Sequence, residues 1–255
     1  MSINFYDQQD SSPHIYTNND NSISPDRLHG LVLWIDGQCS TRLGDDKKFT
    51  AMQDIIFPFI NGQGSNGGYT ELAIQGNIWD GDFLELNTYA QYPHTGQSNV
   101  LTVESVFKVT KELDGPRTVL GCHYGAGWYF AVSAGRHPYF RAYDSDANAY
   151  AQAYNPELTL EIGKAYYAIM TYSSSGEITL EVKELGDKVT ATMGAYKKLS
   201  TSYPTTMGTQ TSTTNSANGE LWDGLAVAMG RVWYRVLTDE EIEANYQDCK
   251  KRFNL

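Results

Sequence analysis

The chain has 255 residues and a net charge of −11, with 19% of residues charged against roughly 25% in an average domain. An acidic balance of this size is repelled by phosphate backbones and anionic lipid, and the one basic run, Lys250-Lys251-Arg252, lies on a terminal helix face, so nucleic acid is excluded as a partner. No run of ~18 apolar residues occurs, so no helical membrane insertion is expected.

Tyr (18) and Gly (23) are plentiful, which suits strands and tight turns more than helices. Residues 1–28 form a polar arm rich in Asn, Asp, Ser and Gln, with Pro13 and Pro25 and no usable periodicity. Such a segment has too little apolar surface to order itself, so it is expected to lie on the surface of a partner protein. The arm has neither a basic n-region nor an apolar h-region, and synthesis in a cytosol without a secretory signal is expected. Residues 29–255 then read as one domain. Its first strand is Gly30-Leu31-Val32-Leu33-Trp34-Ile35-Asp36-Gly37, followed by a glycine-rich loop at 61–68 and by Trp79-Asp80-Gly81-Asp82-Phe83-Leu84-Glu85-Leu86. Leu101, Val103, Phe107 and Val109 fall on one face of a strand, and Trp128, Phe130 and Val132 on one face of another after the Gly125-Ala126-Gly127 turn.

The stretch from Ser145 to Pro156 reads as a long loop carrying Tyr150 and Tyr154. Next, 164–172 and 177–182 form a hairpin about the polar turn Ser173-Ser174-Ser175-Gly176. Thr201 to Asn218 is another polar loop. The last strand runs through Leu225, Val227, Met229, Val232, Tyr234 and Val236, with a bulge expected around Gly230 that switches the buried face. Thr238 and Glu241 then make a capping box, with Asp239 and Glu240 placing negative charge in the first helical turn.

The ending Arg-Val-Trp-Tyr-Arg-Val-Leu-Thr-Asp-Glu-Glu-Ile (231–242) resembles the last strand and closing turn of laminin-G-like domains of the concanavalin A-like lectin and glucanase superfamily. The segments 30–37, 79–86 and 101–109 resemble that family's opening strand, Asp-Gly segment and core strand, so the resemblance spans roughly Gly30 to Tyr246. The family's Tyr-Val-Asn-Gly element is absent; the matching region reads Leu180-Glu181-Val182-Lys183-Glu184-Leu185-Gly186. Pattern and resemblance lead to one fold class: all-β, a two-sheet antiparallel β-sandwich of jelly-roll, concanavalin A-like form with a short C-terminal helix from about Asp239 to Arg252. Trp34, Val103, Phe107, Ile169 and Val232 are expected between the sheets.

Retaining hydrolysis in this superfamily uses a Glu-x-Asp-x-x-Glu strand motif, which sets two carboxylates ~5–5.5 Å apart. The chain has no such motif, no nucleophile elbow, phosphate loop or His-Glu-x-x-His, and its five histidines are scattered, so a non-enzymatic role is expected. Cys39, Cys122 and Cys249 are widely spaced and odd in number, which favours buried thiols over disulfides or zinc. The resemblance implies one calcium at the sandwich rim, for which Asp80 and Asp82 are the candidate ligands and Asp144 and Asp146 a second pair; strand-end turn residues are the plainer reading. Sugar binding needs planar aromatic faces with polar neighbours, and the candidates are Trp79, Tyr89, Tyr92, Trp128, Tyr150 and Tyr154. For Trp34, Trp222 and Trp233, core packing is expected.

A lectin-like domain that works outside cells, lacks a secretion signal and carries a polar arm fits a protein assembled in a host cytoplasm onto the exterior of a phage virion. There it would act as decoration or adhesin with glycans as partners. The alternatives are a bacterial surface or secreted carbohydrate-binding module and a glycoside hydrolase with an unrecognised site.

Overall fold

The computed structural model describes residues 4–6, 13–15, 29–36, 41–43, 49–52, 79–80, 83–85, 90–92, 100–122, 127–144, 149–193, 205–208 and 223–255. Strands follow one another almost throughout: β1 (Asn4–Tyr6), β2 (Pro13–Ile15), β3 (Leu31–Asp36), β4 (Thr41–Leu43), β5 (Phe49–Met52), β6 (Trp79–Asp80), β7 (Phe83–Glu85), β8 (Ala90–Tyr92) and β9 (Leu101–Val109). After these come β10 (Arg117–Gly121), β11 (Trp128–Val132), β12 (Pro138–Asp144), β13 (Ala149–Tyr154), β14 (Ala165–Tyr172), β15 (Glu177–Val182), β16 (Asp187–Thr192), β17 (Thr205–Met207) and β18 (Leu225–Trp233). A helix, α1 (Asp239–Phe253), follows the last strand.

Two antiparallel sheets pack face to face. One has the order β13-β12-β11-β10-β17-β8; the other runs β16-β15-β14-β9-β18-β7-β6, with β3 paired to the second half of β18 beyond β7. Alternate residues of each strand meet between them. Leu101, Val103, Phe107 and Val109 of β9 join Trp128, Phe130 and Val132 of β11 and Phe140 of β12 in one buried cluster, as the period-two pattern requires. Phe107 and Phe130 make the cross-sheet edge-to-face contact, with ring centroids 5.1 Å apart.

Two expectations about the core are corrected. Ile169 and Trp34 do not lie between the sheets; they sit on the other face of theirs, in or against the cluster beneath α1, because their neighbours Met170 and Leu33 take the inward positions. The bulge expected around Gly230 does form in β18, between Val227 and Met229. Up to Val227 the odd-numbered residues face inward, and after it Val232 does, so the extra residue changes the phase of the strand.

The hairpin of β14 and β15 forms as expected, with Gly176 at φ 81° closing the turn and its N–H donating to the Ser173 carbonyl. Helix α1 begins at the expected capping box: Thr238 Oγ1 accepts from the Glu241 N–H, and Glu241 Oε2 accepts from the Thr238 N–H at 2.9 Å. Its buried residues, Ile242, Asn245, Cys249 and Phe253, recur at helical spacing and cover the outer face of the eight-stranded sheet.

The polar arm contains a short element the sequence pattern does not reveal. β1 and β2 pair with each other, Asn4 opposite Ile15 and Tyr6 opposite Pro13, and among the described pairings they join neither sheet of the sandwich. Cys122 and Cys249 are buried thiols outside any disulfide, while Cys39 and Trp222 lie outside the described residues.

Candidate functional site: the tyrosine face of the six-stranded sheet

The outer faces of the two sheets differ. The eight-stranded sheet is covered by α1, whereas the outward positions of β11, β12 and β13 carry Tyr129, Tyr139, Arg141, Tyr143, Tyr150, Gln152 and Tyr154. Strict alternation separates the two sides of these strands. In β12, Phe140 and Ala142 point into the core and Tyr139, Arg141 and Tyr143 away from it; in β13, Ala151 and Ala153 point in, and Tyr150, Gln152 and Tyr154 point out.

Register makes these residues a single patch. Tyr129 is opposite Arg141, which is opposite Gln152; Tyr139 is opposite Tyr154, and Tyr143 opposite Tyr150. Arg141 is at the centre. Its guanidinium lies 4.4 Å from the Tyr150 ring centroid and 5.6 Å from those of Tyr129 and Tyr139, within cation–π range of all three. Its Nε donates to Gln152 Oε1 at 2.8 Å, Nη2 donates to the same oxygen, and Nη1 is 3.4 Å from the Tyr143 hydroxyl. Tyr143 and Tyr150 pack with centroids 5.4 Å apart, and the His137 ring meets Tyr154 edge-on at 6.1 Å.

Burial across the patch is graded. Tyr129, Tyr139 and Tyr143 are buried, Arg141 and Gln152 are half-buried, and Tyr150 and Tyr154 are 54% and 37% exposed. Burial pushes the Tyr129 phenol far above its usual range, with Tyr139 adding to the shift. Partial burial opposes the charge of Arg141, but the surrounding Tyr129, Tyr143 and Tyr139 oxygens outweigh it and its pKa is raised, so the guanidinium stays charged. Gly121 makes room for this arrangement: it sits opposite Tyr129, and a Cβ there would come within 2.7 Å of the Tyr129 Cβ.

The six aromatic candidates from the sequence are not brought together. Trp128 is corrected outright: it is 1% exposed and lies in the inter-sheet core, because the strand begins at Trp128 and its parity turns that residue inward and Tyr129 outward. Tyr150 and Tyr154 are both exposed on one face, about 13 Å apart along edge strand β13 instead of in a loop. Tyr92 is in β8, at the opposite edge of the same sheet, and Trp79 is in β6 of the other sheet; their side chains, and Tyr89 altogether, lie outside the described residues. Five inter-strand steps of ~4.8 Å separate β8 from β13, too far for one monosaccharide.

Of the calcium candidates, Asp80 is in β6 and Asp144 ends β12, while Asp82, Asp146 and the side chains of the other two lie outside the described residues. Among the described residues no group of three or more His, Cys, Asp or Glu is placed to hold a metal. Arg141, Gln152, Tyr139 and Tyr143 were not singled out by sequence reasoning. Their signal is the pair of period-two runs Tyr139-x-Arg141-x-Tyr143 and Tyr150-x-Gln152-x-Tyr154.

No protein-family model matches this sequence, and a search of curated proteins finds no match. Solved structures do resemble it. The binding domain of Paraclostridial Mosquitocidal Protein 1 superposes with a TM-score of 0.62 at 13% identity, over 86% of this chain and 52% of that one. The ligand binding domain of botulinum neurotoxin serotype D, solved in complex with N-acetylneuraminic acid, gives 0.58 at 12% identity, over 86% and 50%. A sialidase of Trypanosoma rangeli gives 0.54 at 15% identity, over 84% of this chain and 32% of the enzyme. The chain therefore spans about a third to a half of these matched chains, and at such identities the similarity establishes a shared β-sandwich fold.

Proposed function

We propose that this chain is a non-enzymatic, laminin-G-like lectin domain that binds glycan through the tyrosine face of β11–β13, displayed on the exterior of a phage virion. The observation that carries the reading is the exposed pair Tyr150 and Tyr154, set on a rigid strand on either side of Gln152, with the charged Arg141 beside them. Aromatic faces receive the C–H side of a sugar ring, and polar groups between them fix its orientation. A site on strands holds its geometry better than one on loops. The sandwich shared with toxin binding domains adds support for a carbohydrate role.

Display on a virion is supported by the polar arm, which offers a segment for pairing with another assembly protein while the sandwich faces outward. The test has two parts. Wild-type protein and the Tyr154→Ala variant are compared on a glycan array; loss of ~1–3 kcal/mol of binding in the variant, with an unchanged melting temperature, is expected. A chain lacking residues 1–28 should fold but fail to enter the particle. Unaltered binding by the variant contradicts the site, and unaltered incorporation of the truncated chain contradicts the assembly role.

A further inference from the structure

Donors dominate the polar centre of the tyrosine face. The carbonyl oxygen of Gln152 is committed, since it accepts from both Nε and Nη2 of Arg141. A guanidinium has no acceptor, so the amide cannot flip without losing both bonds, and its NH2 group is the end turned away from Arg141. Arg141 has five N–H groups. Nε and one hydrogen of Nη2 go to Gln152 and one of Nη1 to Tyr143, which leaves one on each terminal nitrogen. Stacking on Tyr150 holds the guanidinium plane in place. The result is a fixed, positively charged fork of donors in a chain whose net charge is −11.

We infer that the glycan this face takes is acidic, with a sugar carboxylate on the remaining N–H groups of Arg141 and Gln152 and the sugar ring against Tyr150 or Tyr154. This ligand class holds only if the face binds glycan at all, as proposed above. A neutral sugar hydroxyl brings a donor along with its acceptor, and the fork has nothing to accept it. A carboxylate is acceptor-only, and its geometry matches a guanidinium bidentately in a charge-assisted bond about twice as strong as a neutral one. The chain's overall negative charge opposes approach of an anion, but it is screened beyond ~8 Å at physiological salt, so selection occurs at contact.

The test uses the full chain and surfaces that display glucuronate, galacturonate or N-acetylneuraminate, each as free acid and as methyl ester, beside neutral hexoses and a sulfated hexose. At least one free acid should bind, and its ester should bind at least ~10-fold more weakly. Gln152→Glu gives Arg141 an internal carboxylate partner; it should keep or raise the melting temperature while losing the acid. Arg141→Lys, which keeps the charge and loses the fork, should retain only part of the preference. Equal binding of acid and ester, or of neutral hexoses, leaves the face a glycan site and overturns the acidic ligand. Binding of the sulfated sugar alone overturns the carboxylate. Binding of nothing overturns both this inference and the glycan reading.

Discussion

Glu104 and Asn245 join the sandwich to its helix: Asn245 Nδ2 of α1 donates to Glu104 Oε1 of β9 at 2.8 Å, on the sheet face turned away from the core. The other carboxylate oxygen lies 3.4 Å from Arg231 Nη1 of β18, and Arg231 Nη2 in turn reaches Cys249 Sγ at 3.3 Å. All four residues are buried. Removing one partner of a buried ion pair leaves the other charge without compensation, so Glu104→Leu is expected to cost ~3–5 kcal/mol by denaturant unfolding. Adding Arg231→Met should recover much of that loss, because an apolar pair of similar volume avoids the desolvation cost. A double variant as unstable as Glu104→Leu alone would show that the pair has some further role.

At the start of α1, Glu241 serves two partners. It closes the capping box with Thr238 and takes the Arg235 guanidinium on both carboxylate oxygens at 2.6 Å. Thr238→Ala should cost ~1 kcal/mol, the usual value of an N-cap, and Glu241→Ala should cost more, since it removes the cap and the fork together. Equal losses for the two variants would mean that the Arg235 contact adds nothing.

Glu184 predicts a pH dependence. Burial raises its pKa above the usual carboxylate value, against the lowering effect of the hydrogen bond from the Tyr167 N–H at 2.8 Å. With the folded pKa above the unfolded one, the folded state binds more protons between the two. Glu184 therefore costs stability as pH rises through that window and costs nothing below it. Glu184→Gln should match the wild type in acid and become the more stable protein as pH climbs above about 4.5, the ordinary glutamate value. Asp223 runs the opposite way: hydrogen bonding to Lys111 lowers its pKa, so its contribution is present above the unfolded value and lost as pH falls below it. Unfolding curves of both proteins between pH 4 and 8 are the measurement; a difference independent of pH contradicts the assignment.

Trp128 and Tyr150 separate stability from binding. Trp128→Ala opens a cavity in the inter-sheet core and should cost ~3–5 kcal/mol of stability. Tyr150→Ala removes an exposed ring and its contact with Arg141, a stability loss of at most ~1 kcal/mol, while weakening glycan binding by ~1–3 kcal/mol. A Tyr150→Ala protein that binds as well as wild type would remove this ring from the site.

Much of the fold is legible in the sequence because its carriers are local. The Ser173–Gly176 turn, the Thr238–Glu241 box and the Leu101, Val103, Phe107 and Val109 face of β9 are each set by residues within a few positions of one another. The candidate site is legible only in part. The strand Ala149–Tyr154 escapes a hydrophobicity reading because its inward residues are alanines and its aromatics face out, so it looks like a polar loop. In β11 every residue is buried, so pattern alone does not decide which of Trp128 and Tyr129 faces the other sheet; the pairing of Tyr129 with Arg141 does. The cross-strand centre of the patch, Arg141 and Gln152, is a product of register, and register is not written within either strand.

Glycan binding at the tyrosine face of β11–β13 is tested by a titration followed by 15N NMR of the Arg141 Nε–H and Gln152 side-chain amide resonances. Addition of a glycan that the protein binds should shift both, together with backbone amides of β12 and β13, and leave those of α1 unmoved. Saturable binding with those side-chain resonances unchanged and shifts elsewhere on the sandwich would contradict it.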